Sequence, residues 1–419
     1  MVQARPLCQL ALLCCLAAPL AAQSGTAANN TSAVRGSANG NAEPRVVSKL
    51  PIRSLLYPGA TTKILVRGML WFGDPRHWDS GYRSDDPKQV SRQVDDMMSR
   101  GIDGVIVAWY GPNEKQKNRA LELLLHEAER RKGQFVVATS VDVGGLAECL
   151  KRGCDETEAV AKLIDTVVER YASSPAYWRV RSRPVVTFFG METHDIDWRR
   201  VRRSLRGNPM LLFRNSGGFN VPESDGAFAW IAPETVSDDD PMALKYLRNF
   251  YGVARKNPGK LTIGSAYKGF DDSLASWGKR RRIDQRCGRT WLETFAVANS
   301  YYSRSRQLDA LIIPTWNDYE EGTAIEPGIA TCIQISGRLD GRQLRWNIEG
   351  PLETVDHLEV FAVAPGGGRT LLKSLDRDAR RMDVPRDAKA RGYIIVAVGR
   401  PSMQNAASPV IAAPSSRPD

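Results

Sequence analysis

From Lys63 onward the apolar residues fall in short runs, and most runs are followed by a stretch with helical spacing. Lys63–Trp71 predicts a first strand, and Pro87–Arg100 a helix capped by Asp85 and Asp86 and closed by Gly101. Gly104–Trp109 predicts a second, fully buried strand. The next helix, Glu114–Arg131, carries Leu121, Leu124, Leu125 and Ala128 on one face. The alternation continues with strands at Phe135–Ser140, Pro184–Phe189, Met210–Arg214, Phe228–Ala232, Leu261–Ala266 and Leu311–Thr315. Helices are predicted at Glu156–Tyr171, Asp197–Arg206, Pro241–Arg255 and Trp291–Arg306.

Short apolar strands separated by helices imply parallel pairing with both faces buried. Eight of them within residues 49–330 match an α/β fold, a closed (β/α)8 TIM barrel, in number and size. An open doubly wound sheet would place a glycine-rich phosphate turn after the first strand. That position reads Trp71-Phe72-Gly73-Asp74-Pro75, aromatic and acidic, so the barrel is preferred. After Pro327 the texture changes to short alternating strands around Ile333–Ser336, Leu344–Asn347, Leu358–Phe361 and Tyr393–Val398, divided by Gly- and Asp-bearing turns. Residues 331–402 are therefore expected to form a small C-terminal β-sandwich, fibronectin-III-like in outline. The Pro- and Ser-rich stretch 403–419 is expected to be a disordered tail.

The N-terminus has a different pattern. Arg5, an apolar segment Leu7–Leu16 and small residues through Ala22 read as a signal peptide over residues 1–22. The apolar segment is too short to span a membrane, and no later run reaches about 18 residues, so no transmembrane segment is expected. Residues 23–48, rich in Ala, Asn, Ser and Gly, read as a disordered linker. Three of the seven cysteines lie within the signal. The other four, Cys149, Cys154, Cys287 and Cys332, allow two disulfides in an exported chain, Cys149 with Cys154 being the most local pairing. No CxxC pair or clustered His supports zinc, and no metal or cofactor is expected. A secreted or periplasmic location follows from this reading, and a monomer is expected.

Composition adds little to this picture. The 419 residues are 42% apolar and 25% charged, an ordinary globular balance. The 58 Lys and Arg against 47 Asp and Glu give a formal charge of +11. The cations lie mostly on helical stretches with acidic neighbours. Without a basic tail or zinc-finger spacing, nucleic acid is not the expected partner.

Barrel chemistry sits in the loops after the strands. Those positions supply candidate binding residues His77, Trp78, Trp109, Tyr110, Asp142, Glu192, Tyr267, Asp271, Asp272, Trp316 and Asn317. Aromatic rings offer flat faces to sugar C–H groups, while carboxylates and amides bond hydroxyls. The densest cluster, Trp316-Asn317-Asp318-Tyr319-Glu320-Glu321-Gly322, directly follows the eighth strand. Asp318 and Glu321 are the candidate catalytic pair, because glycoside hydrolysis needs one carboxylic acid and a second carboxylate. Glu320, adjacent to Glu321, is expected to point away.

The stretch Trp316–Pro327 resembles the strand-eight signature of glycoside hydrolase families 71 and 99, the α-1,3-glucanases and endo-α-mannosidases. Its Trp-Asn-Asp-Tyr half is similar to family 71 and its Glu-Gly-Thr-x-Ile-Glu-Pro half to family 99. His77–Tyr82 with Asp103–Gly111 resembles the opening of these barrels, and Gly269-Phe270-Asp271-Asp272 their strand-seven loop. The resemblance implies a (β/α)8 glycoside hydrolase acting on a polysaccharide or oligosaccharide with α linkages. It also implies Asp318 as base and Glu321 as acid in an inverting reaction. Asp318 stands where family 99 has Glu, and Glu320-Glu321-Gly322 where family 71 usually has Gly-Glu-Ser. Two other readings are a non-catalytic carbohydrate-binding protein and an accessory to polysaccharide export.

Overall fold

The computed structural model describes residues 46–385 and 390–413. The expected signal peptide and nearly all of the expected linker lie outside these residues.

Eight strands close a barrel: β1 Lys63–Gly68, β2 Gly104–Trp109, β3 Val136–Asp142, β4 Arg183–Phe189, β5 Met210–Arg214, β6 Gly226–Phe228, β7 Leu261–Ser265 and β8 Ala310–Ile313. Each pairs in parallel with its neighbours in sequence order. β1 against β8, with Lys63 opposite Ala310, closes the ring. Nearly all of their side chains are buried, as the unbroken apolar runs require. The fold is a (β/α)8 barrel.

The helices alternate with the strands: α1 Pro87–Ser99, α2 Lys115–Arg130, α3 Glu156–Tyr171, α4 Trp198–Ser204, α5 Leu244–Ala254 and α6 Arg289–Tyr301. Three of them start at aspartates that accept otherwise orphaned backbone N–H groups. Asp86 bonds Lys88 N (2.9 Å), Asp155 bonds Glu158 N (3.1 Å) and Asp197 bonds Arg200 N (3.0 Å). Asp85, expected to share the first cap, pairs with Arg83 instead. Asp240 does the same work for α5 through Leu244 N and Lys245 N, both at 2.8 Å.

Two expected element bounds need correction, those of β6 and α6. Strand β6 spans Gly226–Phe228 rather than Phe228–Ala232. A Cβ at Gly226 would fall 2.1 Å from the carbonyl oxygen of Leu261, so the close approach of β6 to β7 begins where the side chain vanishes. The β5–β6 connection is one 3-10 turn, Ser216–Asn220, with no α-helix. Helix α6 ends at Tyr301, not Arg306, because Tyr302 is extended and Ser303 and Arg306 exchange backbone hydrogen bonds in a turn.

The C-terminal residues form two antiparallel sheets. β9 Gln334–Asp340, β10 Gln343–Glu349 and β13 Arg381–Asp383 make one; β11 Val355–Val363, β12 Arg369–Asp376 and β14 Gly392–Gly399 make the core of the other. Ile335, Leu344, Trp346, Leu358, Val360 and Ile395 meet in one apolar cluster. The chain does not become a free tail at residue 403. Ala406–Ala407 and Ile411–Ala412 pair with β14, and Gln404 N bonds Ile329 O (2.8 Å) at the barrel's exit. The last expected tail residues, 414–419, lie outside the described ones. Cys149 is bridged to Cys154, and Cys287, just before α6, to Cys332 at the start of the sandwich.

Candidate active site

A cavity of about 610 Å³ opens at the C-terminal ends of the barrel strands. Its walls include Trp71 and His77 from the β1 loop, Tyr110 from β2, Asp142 from β3, Phe189 from β4, Trp230 beyond β6 and Trp277 from the β7 loop. Asp318 and Glu321 enter it together from the β8 loop.

The turn carrying this pair is held by its own backbone. Asp318 N donates to Thr315 Oγ1 at 2.8 Å, and Glu321 N donates to Asp318 Oδ1 at 3.0 Å. Asn317 does not face the cavity. Its amide bonds both the N–H (2.8 Å) and the carbonyl (3.0 Å) of Met69, tying the β8 loop to the β1 loop. Trp316 is fully buried beneath it, with Arg100 4.8 Å from its ring. Glu320, expected to point away, is turned into the protein. It bonds His77 Nδ1 (3.0 Å) and the backbone N–H of Trp78 (3.1 Å). His77 stacks on Trp71 with ring centres 4.2 Å apart and planes 7° apart. With Nδ1 engaged, Nε2 is the nitrogen left for a ligand.

Burial governs the electrostatics. Asp318, 1% exposed, is pushed well above the ordinary carboxyl range first by desolvation and then by the charge of Glu321. Glu321 is raised too, chiefly by desolvation, against the hydrogen bond it accepts from Trp277 Nε1 at 3.2 Å. Asp142 is raised by burial, against the N–H of Gly144 at 2.9 Å.

Of the candidate binding residues, His77, Tyr110 and Asp142 line the cavity with the acidic pair. The others do not. Trp109 points into the helix layer, where Nε1 donates to Asn118 (2.8 Å) beside Tyr171. Trp78 is 48% exposed at the surface. Glu192 is ion-paired to Arg214. Tyr267 is fully buried, its hydroxyl donating to Met242 O (2.7 Å). Asp272 organises the β7 loop by accepting from Lys279 N (3.0 Å) and Arg281 N (2.7 Å). Asp271 N donates to Glu321 O at 2.9 Å, so that residue braces the turn carrying the acidic pair from behind.

Several cavity residues escaped the sequence reading: Arg67, Met69, Arg76, Glu114, Lys117, Phe189 and Trp277. Arg67 carried a signal, a cation between the apolar run Ile64-Leu65-Val66 and Gly68-Met69-Leu70. Trp277 carried none, because the β7 loop reaches the site only through its fold.

No family model matches the chain, and no curated protein matches it. Two solved structures of a family 99 endo-α-mannosidase from Bacteroides thetaiotaomicron, one of them in complex with bis-tris propane, are similar to it in fold. Identity is 17% and the TM-score 0.49, over 64% and 63% of this chain and 87% of each of theirs.

Proposed function

We propose that the protein is an exported glycoside hydrolase cleaving an α-linked glycan, with Asp318 and Glu321 as its paired carboxyls. The observation that carries this reading is that both enter one open cavity whose walls also carry Trp71, Tyr110, Phe189, Trp230 and Trp277. The cavity's volume falls within the roughly 300–1,000 Å³ of small-ligand sites. Two disulfides fit an oxidising compartment.

Hydrolysis needs one protonated and one ionised carboxyl at the same pH. Two carboxyls raised by shared burial hold a proton between them where isolated ones would not. In the proposed reaction Glu321 gives its proton to the glycosidic oxygen as the bond to the anomeric carbon breaks. Asp318 takes a proton from the water that attacks the opposite face, leaving an inverted hemiacetal.

Two measurements test the pair and its roles. Reducing ends released from α-1,3-glucan, α-mannan and an acidic exopolysaccharide should appear with at least one substrate and vanish with Glu321→Gln, a loss of about 10²-fold or more. On an aryl glycoside with a good leaving group, loss of the acid is largely spared, whereas loss of the base is not. If Asp318→Asn rather than Glu321→Gln is spared, the roles are exchanged. Full activity in both variants would remove the pair from the chemistry.

A further inference from the structure

We infer that the sugar bound in this cavity carries a carboxylate, and that Arg67 receives it. The inference rests on the hydrolase reading for its substrate class and on Arg67 for its charge. Arg67 sits near the end of β1, in register with Ile106 of β2, and is only 2% exposed. It nevertheless lines the cavity.

Its surroundings leave its donors unused. Nε is buried with no hydrogen-bond partner, and among the described residues the guanidinium makes no ion pair and no side-chain hydrogen bond. What holds it are ring faces, Phe189 at 5.3 Å and Trp230 at 5.7 Å. Contacts of that kind fix a guanidinium plane while leaving its N–H edge free. The other cations on the wall are already neutralised. Lys117 bonds Glu114 at 2.5 Å and Asp74 at 3.5 Å, and Arg76 bonds Asp74 at 2.6 Å.

A buried cation without a counter-charge is costly unless something supplies one. Neutral hydroxyls would use its donors but leave the charge uncompensated. A planar carboxylate matches the guanidinium fork with two parallel hydrogen bonds. Asp142 and Asp318 do not take that place: neither is hydrogen-bonded or ion-paired to Arg67, and both act on it only through space. A uronic acid residue is therefore the occupant the floor of this cavity fits.

The test is a calorimetric titration of the full chain with glucuronate, galacturonate and mannuronate, each against its neutral parent sugar and a sulfated one. At least one uronate should bind about tenfold or more tightly than its parent, the fold-change of one good charge-assisted contact. Arg67→Met should bring that preference to within about twofold, and Arg67→Lys should restore only part of it, because the ammonium lacks the fork. Equal binding of uronate and parent by the unaltered protein overturns the inference. So does a preference for the sulfated sugar, or a preference that survives in Arg67→Met. Binding is read without turnover, so a uronate preference in a protein that cleaves no glycan would sink the hydrolase reading and leave this one standing. Cleavage of neutral glycans alone would do the reverse.

Discussion

At the scale of single residues, buried charge decides most of what this protein can do. Burial raises Asp318 above its ordinary 3.8, so the folded protein holds that proton more tightly than the unfolded chain does. The associated stability is complete below about pH 4 and is lost as pH rises through the folded-state value. Asp318→Asn should therefore match the parent near pH 4 and exceed it in melting temperature at pH 8; a gain constant with pH would contradict the assignment. Lys268 is the opposite case. Buried without a partner among the described residues, it is lowered from 10.5 to about 8 by desolvation. Its contribution is present above about pH 10.5 and lost as pH falls through 8. Lys268→Met should raise stability at pH 7, and that advantage should fade by pH 10.5 in denaturant titrations. The pair Glu320 and His77 shows how adjacency misleads. Consecutive residues in a loop need not face opposite ways, and here Glu320 turns inward to a histidine 243 positions away.

At the scale of elements, the strands were legible because a parallel barrel buries both faces, which leaves unbroken apolar runs. Their ends were harder to read. β6 starts where Gly226 lets β7 approach, and nothing in the run Phe228–Ala232 shows that its last four residues continue past the strand. Gly104 begins β2 for the same reason, with Val136 O 2.3 Å from where a Cβ would stand. Gly226→Ala should destabilise the fold by about 1–3 kcal/mol, the usual cost of overpacking, seen as a lower urea midpoint with unchanged slope. An unmoved midpoint would mean that β7 yields without cost. Of the aspartate caps only Asp86 was read from sequence, where a cap and its helix are local, and its neighbour Asp85 pairs with Arg83 instead. The turn of the acidic pair was readable too: Asp318 and Glu321 share one loop, and its internal hydrogen bonds span three residues.

At the scale of the whole molecule, the two bridges divide by reach. Cys287–Cys332 encloses 45 residues and joins the barrel to the sandwich, whereas Cys149–Cys154 encloses only 5. In the chain-entropy picture the first is worth about 4 kcal/mol and the second about 2. Replacing Cys287 and Cys332 with Ser should lower the melting temperature more than replacing Cys149 and Cys154, and an inverted order would contradict that picture. The sequence by itself determined the order of strands and helices, the change of texture after Pro327 and the acidic pair, since periodicity, caps and one loop's chemistry are properties of neighbours along the chain. Only the tertiary structure decided which of the other candidates meet that pair. Closure of β1 onto β8 sets His77 beside Glu320, and the path of the β7 loop brings Trp277 to Glu321. The same closure turns Arg67 inward and Trp109 outward, because a strand's pattern gives alternation between two faces but not which face looks into the barrel.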